Sequence, residues 1–534
     1  MSQLEKQADG NGSNVRKSRT RSWPWLFLLV VIIVCLGAVL CHDIRSPWRL
    51  STDYNAVVWC QAAHNFLRAG VIETGAVPSS YHFGPLPIPP GGYYVHHPPL
   101  FPLVLTVVFA LFGEHEWVAR LVPILATLAS VLLLWIFVRD HWGARAATFA
   151  AALFAATPMV MHYGRMVNFE PCTLPLMLLA LIALARRHDP EGRRWWLLAV
   201  ASCVAAMWTA WLGYFFTLAV AIHFFRQKNG AERLRGLLLV GLAAGSAALF
   251  CLQVTLVEPT AWDDMRKVVA HRVGAKDPFT WMQWARFVGG YTVSMISPSV
   301  WLLAVAGAVL CARNRRARVD GELFPARAAS WLIGMNAAYM LQFRNASFNH
   351  EFAAWYFAVP AAILGAAALE RSLQWARQSS RWKFSRYLVR TAIPLLLLAI
   401  AASNFTRLPS LRTQLPILDG TAREPPFFAM SLGRLIRTSF SGDTVILCNL
   451  NDDFLPLVSY YAQRTIIPGL TLGEHWQNAL KDLKGPRGGV IWLGEPNAVE
   501  PFSVLPQEER RQVFIEEIPF CLWQPTGNRG CALR

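Results

Sequence analysis

The sequence is poor in charged residues and lacks several short motifs that define well-known enzyme and pump classes. Charged residues make up 16% of the 534 residues, whereas a soluble domain carries about 25%. No P-loop and no Gly-x-Gly-x-x-Gly ahead of a helix occurs, which argues against a nucleotide-driven pump. The ten cysteines show no Cys-x-x-Cys pair and no Cys/His metal spacing. We therefore predict no metal-ligating residues and no certain cofactor; a divalent cation at His96 with His271 or Glu258 stays a weak alternative.

Long apolar runs, by contrast, recur along most of the chain. Hydrophobic residues make up 54% of the sequence, and the mean hydropathy is +0.32. Runs of this length predict a polytopic α-helical membrane protein. The apolar segments are 23–41, 98–113, 117–138, 143–161, 171–186, 195–210, 211–226, 234–257, 298–312, 327–343, 352–369 and 388–405.

The net charge of +17 does not indicate a nucleic-acid partner, because the basic residues concentrate in short loops between apolar runs. Such loops set topology on the cytoplasmic side and contact anionic membrane lipid. The basic loops are 139–145, 186–194, 226–235, 313–327 and 371–390. Residues 1–22 form a basic tail ahead of an apolar run without an Ala-x-Ala site, which predicts an uncleaved first span with a cytoplasmic N-terminus.

All five basic loops become cytoplasmic only if the segment 98–113 does not cross the membrane. That run is about 16 residues long, begins with Pro98-Pro99 and contains Pro102, whereas a span needs about 20 residues. Proline also suits the start of a helix better than its interior. We therefore predict an interfacial or re-entrant helix here, eleven spans in total, and a C-terminus outside the membrane.

This topology places four polar segments on the outer side, where they can converge on one cavity. The segments are 42–116, 162–170, 258–297 and 344–351. Residues 54–69 within the first segment read as an amphipathic helix that Thr52 or Asp53 could cap. The most informative stretch is Tyr94-Val95-His96-His97-Pro98-Pro99, which follows Asp53 by about forty residues. Ionisable residues at a membrane face are costly to desolvate, so they are candidates for function.

Beyond residue 405 the long apolar runs stop, and proline, glycine and charge increase. DTVILCNL, RTIIPGL and GGVIWLGEP predict short buried strands, with a helix at 471–484. The sequence therefore predicts a cytoplasmic tail at 1–22, a transmembrane domain at 23–405 whose external catalytic loop is 42–116, and an external α/β domain at 406–534. Cys521 and Cys531 could form a disulfide in an oxidising compartment, although spacing alone leaves this open.

The ordered features resemble the GT-C membrane glycosyltransferases that use a polyprenyl-phosphate sugar. The kin are the protein O-mannosyltransferases, the lipid A aminoarabinose transferases and the rhizobial galacturonosyltransferases. The resemblance covers about residues 24–370. It rests on Asp53 after the first span, HHPPLFPLV, the run EWVARLVPILATLASVLLLWIFVR with Arg120, MHYGRMVNFEP and NHEFAAWYFAVP.

The resemblance implies a GT-C fold and sugar transfer, with inversion, from a polyprenyl-phosphate donor to a lipid, glycan or protein acceptor at the outer face of a bacterial inner membrane. It maps the catalytic base or acceptor anchor to Asp53 and a second acid to Glu170. The sequence departs from the family pattern by Tyr54 after Asp53, by His97 where lysine is frequent, and by Glu170 where aspartate is common.

The chemistry also needs cations at the leaving phosphate, where negative charge develops. The predicted donor-phosphate and substrate-binding residues are His96, His97, Arg165, Arg272, His350 and Glu351.

Structural roles compete with each of these assignments. Asp53 could serve simply as a helix cap, and Glu170 could simply stabilise a helix N-terminus. Arg165 could anchor a lipid headgroup. His96 and His97 could serve simply to hold the Pro-Pro turn. His350 and Glu351 could cap the span 352–369. A transporter or lipid flippase is the alternative function, and a membrane scaffold is a third class. A shared outer cavity for Asp53 and Glu170 would favour the transferase over a transporter with a midplane site.

Overall fold

The computed structural model describes most of the chain from residue 23 onward. The described ranges are 23–48, 53–80, 83, 86–88, 91–274, 279–313, 324–378, 383–414, 428–439, 445–448, 455–464, 466–468, 490–494, 510–515 and 518–523. The predicted helix at 471–484 and the residue Cys531 lie outside these ranges, so the predicted disulfide stays a prediction.

Between residues 23 and 225 the described chain forms eight helices, and the longest connection between them runs from residue 70 to residue 99. They are α1 (Trp23–Cys41), α2 (Tyr54–Ala69), α3 (Leu100–Phe112), α4 (Glu116–Ala155), α5 (Pro158–Tyr163), α6 (Phe169–Ala185), α7 (Gly192–Thr209) and α8 (Leu212–Phe225). Local chemistry accounts for their ends. Thr157 caps α5 by accepting a hydrogen bond from the Val160 backbone N–H at 3.3 Å, and Pro158 begins the helix, as both residue types favour.

Helices continue to residue 414 and recur in the C-terminal part. They are α9 (Gly230–Val257), α10 (Ala261–Val273), α11 (Trp281–Ile296), α12 (Pro298–Arg313), α13 (Phe324–Gln342), α14 (Arg344–Asn349), a 3₁₀ turn (Glu351–Phe357), α15 (Ala358–Gln378), α16 (Lys383–Gln414), α17 (Phe428–Ser439) and α18 (Leu455–Ala462). Gly307 of α12 packs directly on the Leu364 carbonyl of α15, the close approach that small residues permit between membrane helices.

A multi-pass helical architecture is confirmed. Five helices in the described residues are long and apolar enough to cross a membrane, or six if α11 and α12, bent by 93°, are counted as one span. Three further apolar helices, α3, α6 and α8, are shorter. The number of eleven spans stays a prediction.

The apolar run at 98–113 forms the short helix α3. Its 13 residues rise about 1.5 Å each, so it is much shorter than the roughly 30 Å hydrocarbon core of a bilayer. Pro102 lies in its first turn, where proline costs no helical hydrogen bond. This length agrees with the predicted interfacial or re-entrant position.

Residues 139–145 were predicted as a loop between two spans. In the structure they belong to helix α4, which is interrupted only at Gly143. Its φ of 85° lies in the left-handed region that glycine tolerates. Ion pairs fix the chain on both sides of the break, from Asp140 to Arg186 and from Arg145 to Glu370.

The C-terminal part contains a five-stranded sheet. Its strands are β1 (Val445–Cys448), β2 (Ile466–Pro468), β3 (Val490–Gly494), β4 (Arg510–Ile515) and β5 (Ile518–Trp523), in the order β2-β1-β3-β5-β4. β1 pairs parallel with β2 and β3, whereas β5 pairs antiparallel with β3 and β4. The three predicted strands are confirmed as β1, β2 and β3. β4 and β5 were not predicted.

The two largest apolar clusters of the described residues join most of the helices. The larger one joins α1, α4, α6 and α15. The second contains residues of α2, α3 and the start of α4, together with α17 and α18 of the C-terminal part. Helix α2 is consequently buried on more than its apolar face, since Gln61 and Asn65 are also buried. Asn65 belongs to the polar face of the amphipathic pattern, so that face is not wholly open to solvent.

Candidate active site

One cavity gathers side chains from all four segments that were predicted to lie outside. It occupies about 660 Å³ including its open mouth. Its lining comprises Asn55, Trp59, Tyr94, His97, Asn168, Phe169, Glu170, Leu212, Arg272, Tyr339, Ala346, Ser347, His350, Phe352, Ala353 and Tyr356. Four of the eight predicted site residues therefore share a single space: His97, Glu170, Arg272 and His350.

Arg272 is the cation of this cavity. It lies in the last turn of α10, and its guanidinium Nη1 donates to His97 Nε2 at 2.9 Å. Because Arg272 donates, His97 Nε2 must accept, which places the imidazole proton on Nδ1. His97 Nδ1 is buried and has no hydrogen-bond partner among the described residues. His97 therefore has an unused donor on the ring that contacts the guanidinium.

His97 and His350 are neutral in this setting. Burial, followed by the nearby Arg272 charge, holds the pKa of His97 well below its usual range. Burial and the same charge lower the pKa of His350 to about 4. The sequence suggested that both could be cations; the structure makes them neutral hydrogen-bonding groups, because desolvation disfavours the charged imidazole.

Aromatic rings hold His97 in place. Tyr94 stacks on it with ring centroids 6.1 Å apart, Phe169 lies at 4.6 Å, and Trp59 meets it edge to face at 5.8 Å. Trp59 is fixed in turn by its Nε1–H, which donates to Asn168 Oδ1 at 2.7 Å. The loop that carries the two histidines is therefore locked against α2 and the start of α6.

Glu170 is the acid of the cavity. It lies in the first turn of α6, is only 5% exposed, and its Oε2 has no hydrogen-bond partner among the described residues. No ion pair with Glu170 occurs among the described residues either. A helix-end role alone does not account for a carboxyl oxygen that is buried and has no hydrogen-bond partner among the described residues.

Asp53 is not part of the cavity lining, although Asn55, two residues later, is. Its side chain makes no capping hydrogen bond to α2. Instead, Asp53 Oδ2 lies 3.3 Å from Arg120 Nη2. Arg120 is 2% exposed, and its Nη1 also donates to the Ile44 carbonyl at 2.9 Å and to the Ser46 carbonyl. The capping alternative therefore lacks its hydrogen bond, and the acid is held by a buried guanidinium.

Three further predicted residues, besides Asp53, lie outside the cavity lining. His96 Nε2 contacts Asp264 at 2.8 Å, and the His96 carbonyl accepts from Trp211 Nε1. Glu351 Oε1 accepts from the Tyr163 hydroxyl at 2.7 Å.

The third is Arg165, whose guanidinium donates to the backbone carbonyls of His42 and Asp43. These contacts tie α10, α5 and the end of α1 to the walls of the cavity.

Sequence reasoning missed Tyr339 and Tyr356 as cavity residues, because they lie within apolar segments. Sequence reasoning also left Arg120 without a role. Arg120 is the one charged residue of the predicted span 117–138, and a charged residue within a span is itself a signal of function. The described residues contain no group of three or more His, Cys, Asp or Glu side chains that could hold a metal ion. Glu258, named in the weak metal alternative, accepts instead from the Gly91 and Thr260 backbone N–H groups.

Comparison with solved structures decides the architecture. The crystal structure of ArnT from Cupriavidus metallidurans bound to undecaprenyl phosphate superposes with a TM-score of 0.62 at 15% identity, covering 95% of this chain and 99% of that one. The oligosaccharyltransferase AglB from Archaeoglobus fulgidus, with a dolichol-phosphate and an inhibitory peptide, matches with a TM-score of 0.53 at 14% identity, over 88% and 69% of the two chains. The chain has the GT-C glycosyltransferase fold.

Sequence matches agree with the fold and confirm the predicted resemblance. The family described as dolichyl-phosphate-mannose-protein mannosyltransferase matches residues 96–257 of this GT-C chain. The undecaprenyl phosphate-alpha-4-amino-4-deoxy-L-arabinose arabinosyl transferase of Pseudomonas aeruginosa (strain LESB58) is 29% identical over 150 residues, 27% of each chain. The Bacillus subtilis (strain 168) protein YkcB is 27% identical over 175 residues, 32% of this chain. The match spans about a quarter of the length of these curated relatives, 27% and 22% respectively.

Proposed function

We propose that the protein transfers a sugar from a polyprenyl-phosphate-linked donor to a lipid, glycan or protein acceptor at the outer face of the inner membrane. The observation that carries this proposal is the cavity in which Arg272, His97, His350 and Glu170 meet. The undecaprenyl phosphate bound in the ArnT structure and the arabinosyl transferase activity named for the Pseudomonas relatives support the donor class.

The leaving phosphate is proposed to bind at Arg272. The guanidinium supplies the positive charge and a planar set of donors that suits phosphate. His97 Nδ1–H and neutral His350 add hydrogen-bonding capacity without charge. When the bond between the anomeric carbon and the phosphate oxygen breaks, its electron pair goes to the phosphate, and Arg272 stabilises the charge that develops there.

Asp53 is proposed to accept the proton of the acceptor hydroxyl. The acceptor oxygen forms the new bond to the anomeric carbon as the phosphate leaves from the opposite face, so the configuration inverts. A positioned general base contributes about 10² to 10⁴-fold to such a reaction. The ion pair with Arg120 orients the carboxylate.

Glu170 is proposed to contact the sugar. Its buried, unpartnered Oε2 can bond a sugar hydroxyl inside a cavity otherwise lined by aromatic rings such as Phe169 and Tyr356. Recognition by a few polar groups within an apolar wall is the usual design of ligand pockets. An indirect role is proposed for His96, Arg165 and Glu351. Each fixes a segment of the cavity wall that contacts the substrates.

The membrane arrangement remains as proposed from the positive-inside pattern. It has eleven spans, a cytoplasmic N-terminus, α3 at the outer face, and an external α/β domain from residue 406 that contains the sheet. Helix α16, whose residues Thr391–Leu408 qualify as a span, would then be the last crossing before the sheet.

Labelling of single cysteines tests this arrangement. In a cysteine-free background, Thr438→Cys should react with an impermeant maleimide added from outside, whereas Gln378→Cys should react only after the membrane is opened. Both positions are exposed in the structure, and Thr391–Leu408 lies between them. Equal reactivity of the two positions in intact cells would contradict the proposed topology.

The donor KM should be nearly independent of pH between pH 7 and pH 6, a range in which Glu170 stays protonated because burial raises its pKa to about 8. The donor is a phosphodiester and keeps its single charge in this range. The pKa of His97 and that of His350 are both lowered, the latter to about 4, so both imidazoles are neutral throughout. If protonated histidines bound the phosphate instead, KM would fall as the pH dropped through about 6.5, the ordinary pKa of His. Initial rates at several donor concentrations and pH values distinguish the two cases.

Proteoliposomes that contain the purified protein separate transfer from transport. The donor panel is undecaprenyl-phosphate-linked mannose, galacturonic acid and 4-amino-4-deoxy-L-arabinose, with lipid A, a glycan or a Ser/Thr peptide as acceptor. Transfer predicts that one donor yields free undecaprenyl phosphate only when acceptor is present. Movement of an intact donor across the bilayer without release of undecaprenyl phosphate would favour the flippase alternative instead.

A further inference from the structure

Helix α18 of the C-terminal part packs directly on the loop and helix that carry Asp53. Leu457, Val458 and Tyr461 belong to the same buried cluster as Ala56 and Val57 of α2. Gln61 Nε2 donates to the Pro456 carbonyl at 2.6 Å. The C-terminal part thus contacts the proposed catalytic loop through both apolar and polar groups.

The hydroxyl of Tyr461 is the central polar contact of this interface. It accepts the Trp48 backbone N–H at 2.7 Å and donates its own proton to Glu116 Oε1 at 3.0 Å. Tyr461 is 8% exposed, so these bonds form largely away from water. One hydroxyl therefore joins the loop after α1 to the first residue of α4.

Trp48 in turn holds the guanidinium that pairs with Asp53. The Trp48 ring lies 4.2 Å from the Arg120 guanidinium carbon, in cation–π geometry. Both side chains are fully buried, at 1% and 2% exposure. Arg120 then reaches Asp53 at 3.3 Å. A continuous chain of contacts runs from Tyr461 through Trp48 and Arg120 to Asp53.

We infer that Tyr461 is a positioning residue for the proposed base Asp53, so that the C-terminal part sets the geometry of the reaction. This inference rests on the proposed function. The hydroxyl fixes the Trp48 backbone, the Trp48 ring fixes Arg120, and Arg120 orients the carboxylate. Tyr461 contacts no residue of the cavity lining through any hydrogen bond of the described residues, so its effect should reach the reaction rather than donor binding.

The test is a kinetic cycle with the full-length protein and the member of the donor panel that the wild type turns over. Tyr461→Phe removes only the hydroxyl. We expect kcat to fall about three- to tenfold, the worth of one net hydrogen bond, with donor KM changed less than twofold. In an Asp53→Asn background the same substitution should have no further effect, because coupled residues are not additive.

Ser459→Ala is the matched control. It lies on the same helix, and its hydroxyl donates to the Arg464 carbonyl at 2.7 Å, so it loses a buried hydrogen bond without touching the loop. Its kcat should stay within twofold of the wild type. Trp48→Phe keeps the backbone bond to Tyr461 but weakens the contact with Arg120, and it should lower kcat even if Tyr461→Phe does not fold.

The outcomes distinguish a failure of the proposed function from a failure of the positioning role of Tyr461. A wild type that consumes no member of the donor panel contradicts the proposed function itself. An active wild type in which Tyr461→Phe changes only KM, or lowers kcat by the same factor with and without Asp53, overturns the positioning role and leaves the function standing. Unchanged kcat in a folded Tyr461→Phe protein would overturn it as well, and so would unchanged kcat in Trp48→Phe.

Discussion

Replacing Asp53 by Asn is expected to lower kcat by about 10² to 10⁴-fold, the usual contribution of a general base. Asparagine keeps the shape and can still accept a hydrogen bond from Arg120, which lies 3.3 Å from the carboxylate. It cannot take the acceptor proton. The loss should therefore fall on kcat, while the donor KM stays close to that of the wild type. Release of undecaprenyl phosphate from the active donor measures both constants.

Glu73→Gln is the control for this substitution. Glu73 lies in the same segment, 42–116, but is exposed and lines no part of the cavity. Its loss should leave the kinetics unchanged. A folded Asp53→Asn protein with near-full turnover would remove Asp53 as the base, and Glu170, whose Oε2 is free inside the cavity, would take its place as the candidate.

Replacing Arg272 by Ala is expected to lower kcat/KM by about 10² to 10³-fold, with a higher donor KM and a lower kcat. The guanidinium binds the phosphate in the ground state and meets the charge that grows as the bond breaks, and loss of one such donor typically costs this much. Lysine should restore only part of the rate, because it lacks the planar fork. Steady-state kinetics of both variants give the comparison.

Arg266 provides a matched control on the same helix. It forms an exposed ion pair with Asp263, so Arg266→Ala changes the charge of α10 equally without reaching the cavity. Its kinetics should match the wild type. Arg165→Ala should also cost less than Arg272→Ala, because Arg165 contacts the backbone of residues 42 and 43. Equal losses in Arg266→Ala and Arg272→Ala would show a general charge effect rather than a phosphate site.

Much of the architecture could be predicted because apolar length and loop charge are local signals. Helix α2 was predicted at residues 54–69, where the structure has Tyr54–Ala69. The short helix α3 followed from its length and its prolines. β4 and β5 were not predicted, because RRQVFI carries two charges and IPFCLW contains a proline. These strands form by pairing with each other and with β3 in the assembled sheet, which local sequence does not show.

The site was predicted less completely, because its geometry depends on contacts between distant segments. Local sequence identified His97, Glu170, Arg272 and His350, but it could not show that Arg272 lies against His97, 175 positions away. It also could not show that this charge and burial keep both histidines neutral. The ion pair of Asp53 with Arg120, 67 positions apart, likewise appears only in the folded chain.

The mass of the product formed by the purified protein tests the central claim most directly. The protein is incubated with each defined undecaprenyl-phosphate sugar and the acceptors, and the acceptor mass is recorded for the wild type and for Asp53→Asn. The account predicts that one donor increases the acceptor mass by one sugar residue in the wild type, with an equal amount of undecaprenyl phosphate released, and that Asp53→Asn forms far less. An unchanged acceptor mass with every donor, in a folded protein that binds undecaprenyl phosphate, would contradict the account.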